Sequence, residues 1–351
     1  MPTTQHDLFR YDIAKSYDWN YENAPDPVDI EVPDYPGEWD FMGIPTGSPL
    51  GMPAGPLLNG KWVLYYASLG FDVLTYKTVR TRERACYDLP NLQPVDTESL
   101  HGGESECPTT HEMTGSWAVS FGMPSKAPDV WREDVETTRK KLPKGKVLSV
   151  SVVGSVLEGW GIEELAADYA RCAKWAVDSG ADVVETNFSC PNVSSPDGQL
   201  YQQHEDARFV AKTVRQAIGD KPYLIKVGHV PTRKEADWLI RAVGPYVDGL
   251  AMTNSVATKV RDEEGNLLFE GQCRGICGKA TLDESLKQVG TFHEIIQEKH
   301  HDLKLIGVGG ASTAEDVQSY LDQGAHSVHI ATAAMVDPEV AIRIRESAGS
   351  L

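Results

Sequence analysis

The chain has 351 residues, 41% of them hydrophobic, 24% charged and 8% aromatic, which excludes a disordered, collagen-like or low-complexity polymer and leaves ample length for one large domain. Lys and Arg total 33 against 51 Asp and Glu, a net charge of −18 that repels phosphate backbones and anionic bilayers; no nucleic acid and no membrane are expected as partners, although a pocket can still be locally basic. No run approaches the ~18 apolar residues of a membrane span, the N-terminal MPTTQHDLFRYDIAK lacks the apolar core of a secretory signal, and the six cysteines are too scattered for a disulfide framework, so the expected compartment is the reducing cytoplasm.

Residues 1–42 are polar, acidic and rich in proline, and read as an N-terminal extension wrapped either on the domain itself or on a partner subunit. From residue 43 to 351 short apolar runs alternate with helical patterns. The expected strands are Leu50–Ala54, Val73–Lys77, Val147–Val153, Val183–Asn187, Tyr223–Val227, Gly249–Thr253, Leu303–Val308 and Ser327–Ile330, each nearly continuous in apolar character, as strands buried on both faces must be. The expected helices cover 59–69, 128–141, 162–179, 205–218, 233–243, 281–299, 314–323 and 338–347. In the third, Ile162, Leu165, Ala166, Tyr169, Ala173, Ala176 and Val177 form a 3.6-residue stripe. Eight βα units predict an α/β fold, a (β/α)₈ TIM barrel; an open doubly wound sheet is the alternative, because counting does not prove closure. Two insertions interrupt the alternation, after the second and sixth strands: a polar, irregular 83–120, and 256–280 with a hairpin-like turn at Asp262-Glu-Glu-Gly265.

The unusual polar residues fall at strand C-termini, where such a barrel builds its active site. Lys77 ends the second strand; Asn187, Ser189, Cys190 and Asn192 follow the fourth; Lys226 ends the fifth; Thr253, Asn254 and Ser255 end the sixth; Gly309-Gly310 follow the seventh and Ala331-Thr332 the eighth. Paired glycines let backbone N–H groups approach a phosphate, and Ser312 or Thr313 is placed to cap the next helix, whose positive end favours an anion. The alternative there is a tight turn without a ligand. Cys190, before Pro191 in a loop, is either a proton-transfer base or a buried structural thiol; the flanking amides, suited to holding a planar heterocycle, favour the base. Cys273 and Cys277 lack companions for a four-ligand site, and no metal is expected.

These residues carry a resemblance. Thr75-Tyr-Lys-Thr78, Glu185-Thr-Asn-Phe-Ser-Cys-Pro-Asn-Val193, Ile225-Lys226-Val227, Thr253-Asn-Ser255, Arg274-Gly-Ile-Cys-Gly278, Gly307-Val-Gly-Gly310 and Ile330-Ala-Thr332 stand in the order found in the dihydroorotate dehydrogenases, and the chain resembles their soluble class 1 branch from residue 50 to about 340. The resemblance implies an FMN-dependent barrel of pyrimidine biosynthesis that oxidises dihydroorotate to orotate by passing a hydride to the flavin while a base takes a neighbouring proton. It implies Cys190 as that base. It implies flavin contacts from Ala54, Gly55, Lys77, Thr78, Asn187, Lys226, Thr253, Gly278, Gly309, Gly310, Ala331 and Thr332. Substrate contacts are implied for Lys77, Ser120, Gly122, Asn187, Asn192, Asn254 and Ser255, and a soluble electron acceptor and a homodimer are further expectations. One departure is marked: the stretch Val119-Ser-Phe-Gly-Met-Pro-Ser125 has valine where the branch has a substrate-binding asparagine. That valine favours a second reading, a related flavin enzyme for another dihydropyrimidine-like ring; a flavin-binding barrel without this activity is a third. A tRNA-reducing flavin barrel conflicts with the charge of −18.

Overall fold

Eight parallel strands, buried on both faces, form the centre of the computed structural model, which describes residues 7–189, 196–253 and 255–349. They are β1 (Leu50–Met52), β2 (Val73–Val79), β3 (Val147–Val152), β4 (Val183–Asn187), β5 (Tyr223–Lys226), β6 (Gly249–Met252), β7 (Lys304–Val308) and β8 (Ser327–His329). Each pairs with the next, and Val328 of β8 pairs with Leu50 of β1, so the sheet closes; closure decides for the barrel and against the open sheet. The surrounding helices are α1 (Gly60–Ser68), α2 (Pro128–Lys141), α3 (Ile162–Asp178), α4 (His204–Ile218), α5 (Arg233–Val243), α6 (Leu282–Lys299), α7 (Ala314–Asp322) and α8 (Val340–Ala348). All sixteen lie where the apolar periodicity places them.

Local chemistry sets several helix starts. Asn59 and Thr232 accept the N–H of Trp62 and Glu235, capping α1 and α5, and Thr313 with Asp316 forms a capping box on α7. Between strands and helices the packing is largely aromatic: Trp62, Tyr65, Tyr66, Trp131 and Tyr169 are all buried. At the N-terminal end of the barrel a hairpin of Trp39–Phe41 with Ile44–Thr46, running across residues 42 and 43, sends Phe41 into a cluster with Val73, Val147, Val183, Leu224 and Ile306. Phe41 thus closes the floor of the barrel and leaves the C-terminal mouth for a ligand.

Two features differ from the sequence reading. The segment 83–120, expected to be irregular, supplies three strands to a five-stranded sheet, in the order Leu92–Pro94, Ser116–Val119, Arg274–Gly278, Val256–Arg261, Glu106–Pro108. These strands are short and their partners are distant in sequence, so no local periodicity announces them. The sheet has a small core of its own, including Val95, Leu100, Cys107, Val256, Val260 and Ile276, and its Asp262–Gly265 turn is as expected. The second feature is a helix, Tyr17–Glu22, in the N-terminal arm, too short for a periodic signal but capped by Ser16. The arm packs on its own barrel: Asn59 Nδ2 donates to Tyr21 O (2.7 Å), Trp62 Nε1 to Asn20 O (3.0 Å), Tyr65 Oη to Phe9 O (2.8 Å) and Arg345 Nη1 to Pro33 O (3.0 Å).

Candidate active site

A cavity of about 490 Å³ opens at the C-terminal mouth of the barrel, within the range of small-molecule and cofactor sites. Strand alternation builds it. In β4, Val183 faces the barrel floor, so Glu185 and Asn187 follow on the inner face; in β5, Leu224 on the floor places Lys226 inside two residues later. Gly55, Lys77, Thr78, Asn187, Lys226, Gly278, Gly309, Gly310, Ala331 and Thr332, ten of the residues expected at a cofactor, line this one cavity. Ala54 is buried directly behind Gly55, and Thr253 is buried at the end of β6, where its hydroxyl has no hydrogen-bond partner among the described residues.

The expected substrate residues divide. Lys77 and Asn187 face the cavity. Ser120 is turned to the cap sheet, where its Oγ accepts from Arg274 Nε at 2.8 Å, and Gly122 lies against the ring of Tyr87; neither lines the cavity, although Val119, Phe121 and Met123 between and around them do. Ser255 lines a neighbouring chamber of about 380 Å³, which shares Ser189 with the cavity. Cys190, Asn192 and Asn254 lie outside the described residues.

The site has a polar floor and apolar walls. Lys226 is 4% exposed, and its Nζ stands 3.8 Å from Glu185 Oε1, itself buried. Beside them His329 of β8 lines the cavity, and neither of its ring nitrogens has a partner among the described residues. Burial, reinforced by the Lys226 charge, holds its imidazole down to about 3, so it is neutral at physiological pH. The Cys277 thiol on the wall is pushed up to about 12 by burial, against the opposing pull of Lys226. Asn187 is oriented from its own loop: its Oδ1 accepts from Ser189 N at 2.9 Å and its Nδ2 contacts Met123 Sδ at 3.5 Å.

At the other end of the cavity, Gly309 and Gly310 adopt φ of +132° and +76°. A Cβ at Gly309 would fall 2.3 Å from Ser285 Oγ, and one at Gly310 would fall 2.7 Å from Leu282 Cβ, so both conformation and space demand glycine. Thr313 caps α7 just beyond them, placing a full-length helix N-terminus at this end. Lys279 and Arg343 also reach the lining, Arg343 through ion pairs with Asp337 and Glu339.

Sequence reasoning missed Leu92 and Trp117, because they belong to a segment read as irregular, and Met123, which it placed in the 119–125 loop without a role; all three form apolar wall with Phe121. It also missed His329, although a signal was present: a histidine next to the end of an expected barrel strand stands where such barrels gather polar site residues.

The chain is similar to known proteins along nearly its whole length. The family model for dihydroorotate dehydrogenase matches residues 38–350. A dihydroorotate dehydrogenase of Dictyostelium discoideum is 32% identical over 358 aligned positions, covering 95% of each chain. The catalytic subunit of an NAD(+) dihydroorotate dehydrogenase B from Methanocaldococcus jannaschii is 27% identical over 224 positions, covering 64% of this chain and 68% of that one. Among solved structures, a DHODH of Eimeria tenella in complex with ferulenol shares the fold, with a TM-score of 0.75 and 18% identity over 94% of this chain and 88% of that one. Matched across its barrel by the family model and along 95% of its length by a relative, the chain belongs to the dihydroorotate dehydrogenase family, flavin-dependent oxidoreductases of the CH–CH bond.

Proposed function

We propose that this protein oxidises dihydroorotate to orotate, with FMN in the cavity at the barrel mouth and Cys190 as the base. The observation that carries the reading is convergence: Lys77, Asn187, Lys226 and the Gly309-Gly310 turn, contributed by four different strands and their loops, meet in one cavity. The donor set fits FMN at both ends. Gly309, Gly310 and the capped N-terminus of α7 form a cradle that a Cβ would fill, suited to a phosphate. Trp117, Phe121, Met123, Leu92 and Ile330 supply apolar walls for a flat ring system, and buried Lys226 places a fixed positive charge on the floor.

Bound there, FMN supplies the hydride acceptor. The chain's own residues do the rest. The oxidation removes a hydride and a proton from adjacent ring carbons, and the proton passes to Cys190 Sγ as thiolate. Asn187 and Asn192, with Asn254 and Ser255, offer paired donors and acceptors to the imide-like edge of the pyrimidine ring. Lys77 answers the substrate carboxylate. Re-oxidation falls to a soluble acceptor, and a homodimer in the cytoplasm is the expected assembly.

Val119 is the observation that favours a second reading. Its side chain lies on the cavity wall where the branch carries an amide, and a missing amide can lower substrate affinity by about 1–3 kcal/mol or admit a different dihydropyrimidine-like ring. An anaerobic titration of the purified protein with L-dihydroorotate, followed by flavin absorbance, separates the two. Bleaching at stoichiometric substrate supports dihydroorotate oxidation and makes Val119 a tolerated variation. A flavin that stays oxidised overturns that substrate and directs attention to the 119–125 loop.

A further inference from the structure

We propose that the N-terminal arm is a working part of the active site, with Tyr17 as a positioning residue that holds the Lys77 ammonium for an anionic ligand. The proposal rests on the reading of Lys77 as the partner of the substrate carboxylate. Lys77 is on β2, 7% exposed, and its Nζ lies beside a contacting pair of aromatic rings, 4.9 Å from the centroid of Phe121 and 5.9 Å from that of Tyr17. Both distances are within the reach of a cation–π attraction. Phe121 lines the cavity; Tyr17 does not, and lies behind it against the lysine and the Phe121 ring.

The two rings are themselves fixed. Tyr17 and Tyr11, both from the arm, pack edge-on against Phe121 at 6.1 and 6.0 Å. The short helix carrying Tyr17 is anchored on one flank to α1, through Trp62 Nε1 to Asn20 O and Asn59 Nδ2 to Tyr21 O. On the other flank Lys126 pairs with Asp18 at 2.7 Å and lies 4.9 Å from the Tyr21 ring. Lys126 follows the 119–125 loop directly, so one anchor serves the arm and the loop that carries Phe121. Burial pushes the neighbouring Cys86 thiol up to about 11 and raises the Tyr17 phenol well above its usual range, so neither neutralises the ammonium.

A lysine side chain has four rotatable bonds and loses much freedom when it is held in one place. Rings that hold the ammonium before the ligand arrives reduce that loss on binding, so they strengthen binding of an anion without touching it. The strain-free substitute for Tyr17 is therefore phenylalanine, which keeps the ring face; leucine keeps the bulk and loses it.

The test is a titration of the flavin-loaded protein with orotate, the anionic product, read from the flavin absorbance shift. Tyr17→Leu is expected to raise the orotate Kd by about 5-fold or more, and Tyr17→Phe to restore it to within about 2-fold of the unaltered chain. In a Lys77→Met background Tyr17→Leu is expected to add less than about 2-fold, the non-additivity that marks action through the lysine. Phe121→Leu, the other ring of the pair, is expected to show the same dependence on Lys77, and serves if Tyr17→Leu does not fold. An unchanged Kd in Tyr17→Leu, or an equal rise with and without Lys77, overturns the inference and leaves the proposed function standing. Failure of the unaltered chain to bind orotate overturns that function, and this inference with it.

Discussion

Cys190 is the residue whose role rests on chemistry and motif, since it lies outside the described residues while its neighbours Asn187 and Ser189 are in place on the cavity wall. If its thiolate takes the proton, Cys190→Ala keeps the fold and the flavin but slows reduction of the flavin by dihydroorotate by at least about 10²-fold. Stopped-flow absorbance measures this, and an unchanged rate would remove Cys190 from the mechanism. Of the other cysteines, Cys86, Cys107 and Cys277 are poorer candidates, their thiols pushed up by burial to about 11, 11 and 12, and the Cys172 thiol is raised by burial as well. At the same scale, Lys226 and Glu185 show why a strand-end lysine can be read as more than a solvated charge. The structure makes Lys226 a buried lysine, 4% exposed, 3.8 Å from a buried carboxylate, where the sequence alone showed only that it ends an apolar run.

The turn between β7 and α7 is the element proposed to hold the flavin phosphate. Gly310 has φ of +76°, and an added Cβ would also lie 2.9 Å from the backbone N and Cα of Leu282, atoms that α6 holds in place. Gly310→Ala is therefore expected to lower stability by about 1–3 kcal/mol and to reduce the flavin-to-protein absorbance ratio of the purified protein; full retention with an unchanged melting temperature would show that the turn does not bear on the phosphate. The glycine pair was legible in the sequence as a turn, because positive φ is a conformation that glycine adopts without strain; a phosphate there is what the Gly310→Ala variant tests. The cap sheet was not legible. Its strands at 92–94, 106–108 and 116–119 are three or four residues long; 92–94 pairs with 116–119 across an irregular intervening stretch, and 116–119 and 106–108 pair with 274–278 and 256–261, more than a hundred residues away, so the apolar side chains of Leu92 and Trp117 gain their meaning only from partners that no local window contains.

At the scale of the whole molecule one buried hub joins the two ends of the chain. Arg345 of α8 pairs with Asp72 at 2.7 Å and donates to Ser48 Oγ, Gly70 O and Pro33 O; Lys146 reaches the same Asp72 at 2.8 Å. Removing one partner strands the buried carboxylate with less compensation, so Arg345→Met is expected to destabilise the protein by about 3–5 kcal/mol, measured by urea unfolding; a loss under about 1 kcal/mol would show that Lys146 suffices. His329 makes the fold acid-sensitive. Its folded value of about 3 lies below the ordinary 6.5, so on acidification the unfolded chain takes the proton first. Stability from this group is full above about pH 6.5 and falls as the pH drops toward 3, by about 2 kcal/mol between pH 7 and pH 5. His329→Gln is expected to flatten that part of the stability–pH curve, and an unchanged slope would mean that other groups carry the acid response.

By itself the sequence determined the eight βα units, the face on which the polar strand ends gather and the glycine turn, because each depends on local periodicity, on strand alternation or on the φ that only glycine tolerates. It also contained the ordered motifs that mark the family. Tertiary structure alone decided that the sheet closes, that 83–120 folds into a cap over the cavity, that His329 and Glu185 flank Lys226, and that an acidic arm from the start of the chain lays Tyr17 beside Lys77. Those are pairings between distant segments, set by which surfaces can bury one another, and no single stretch of residues encodes them.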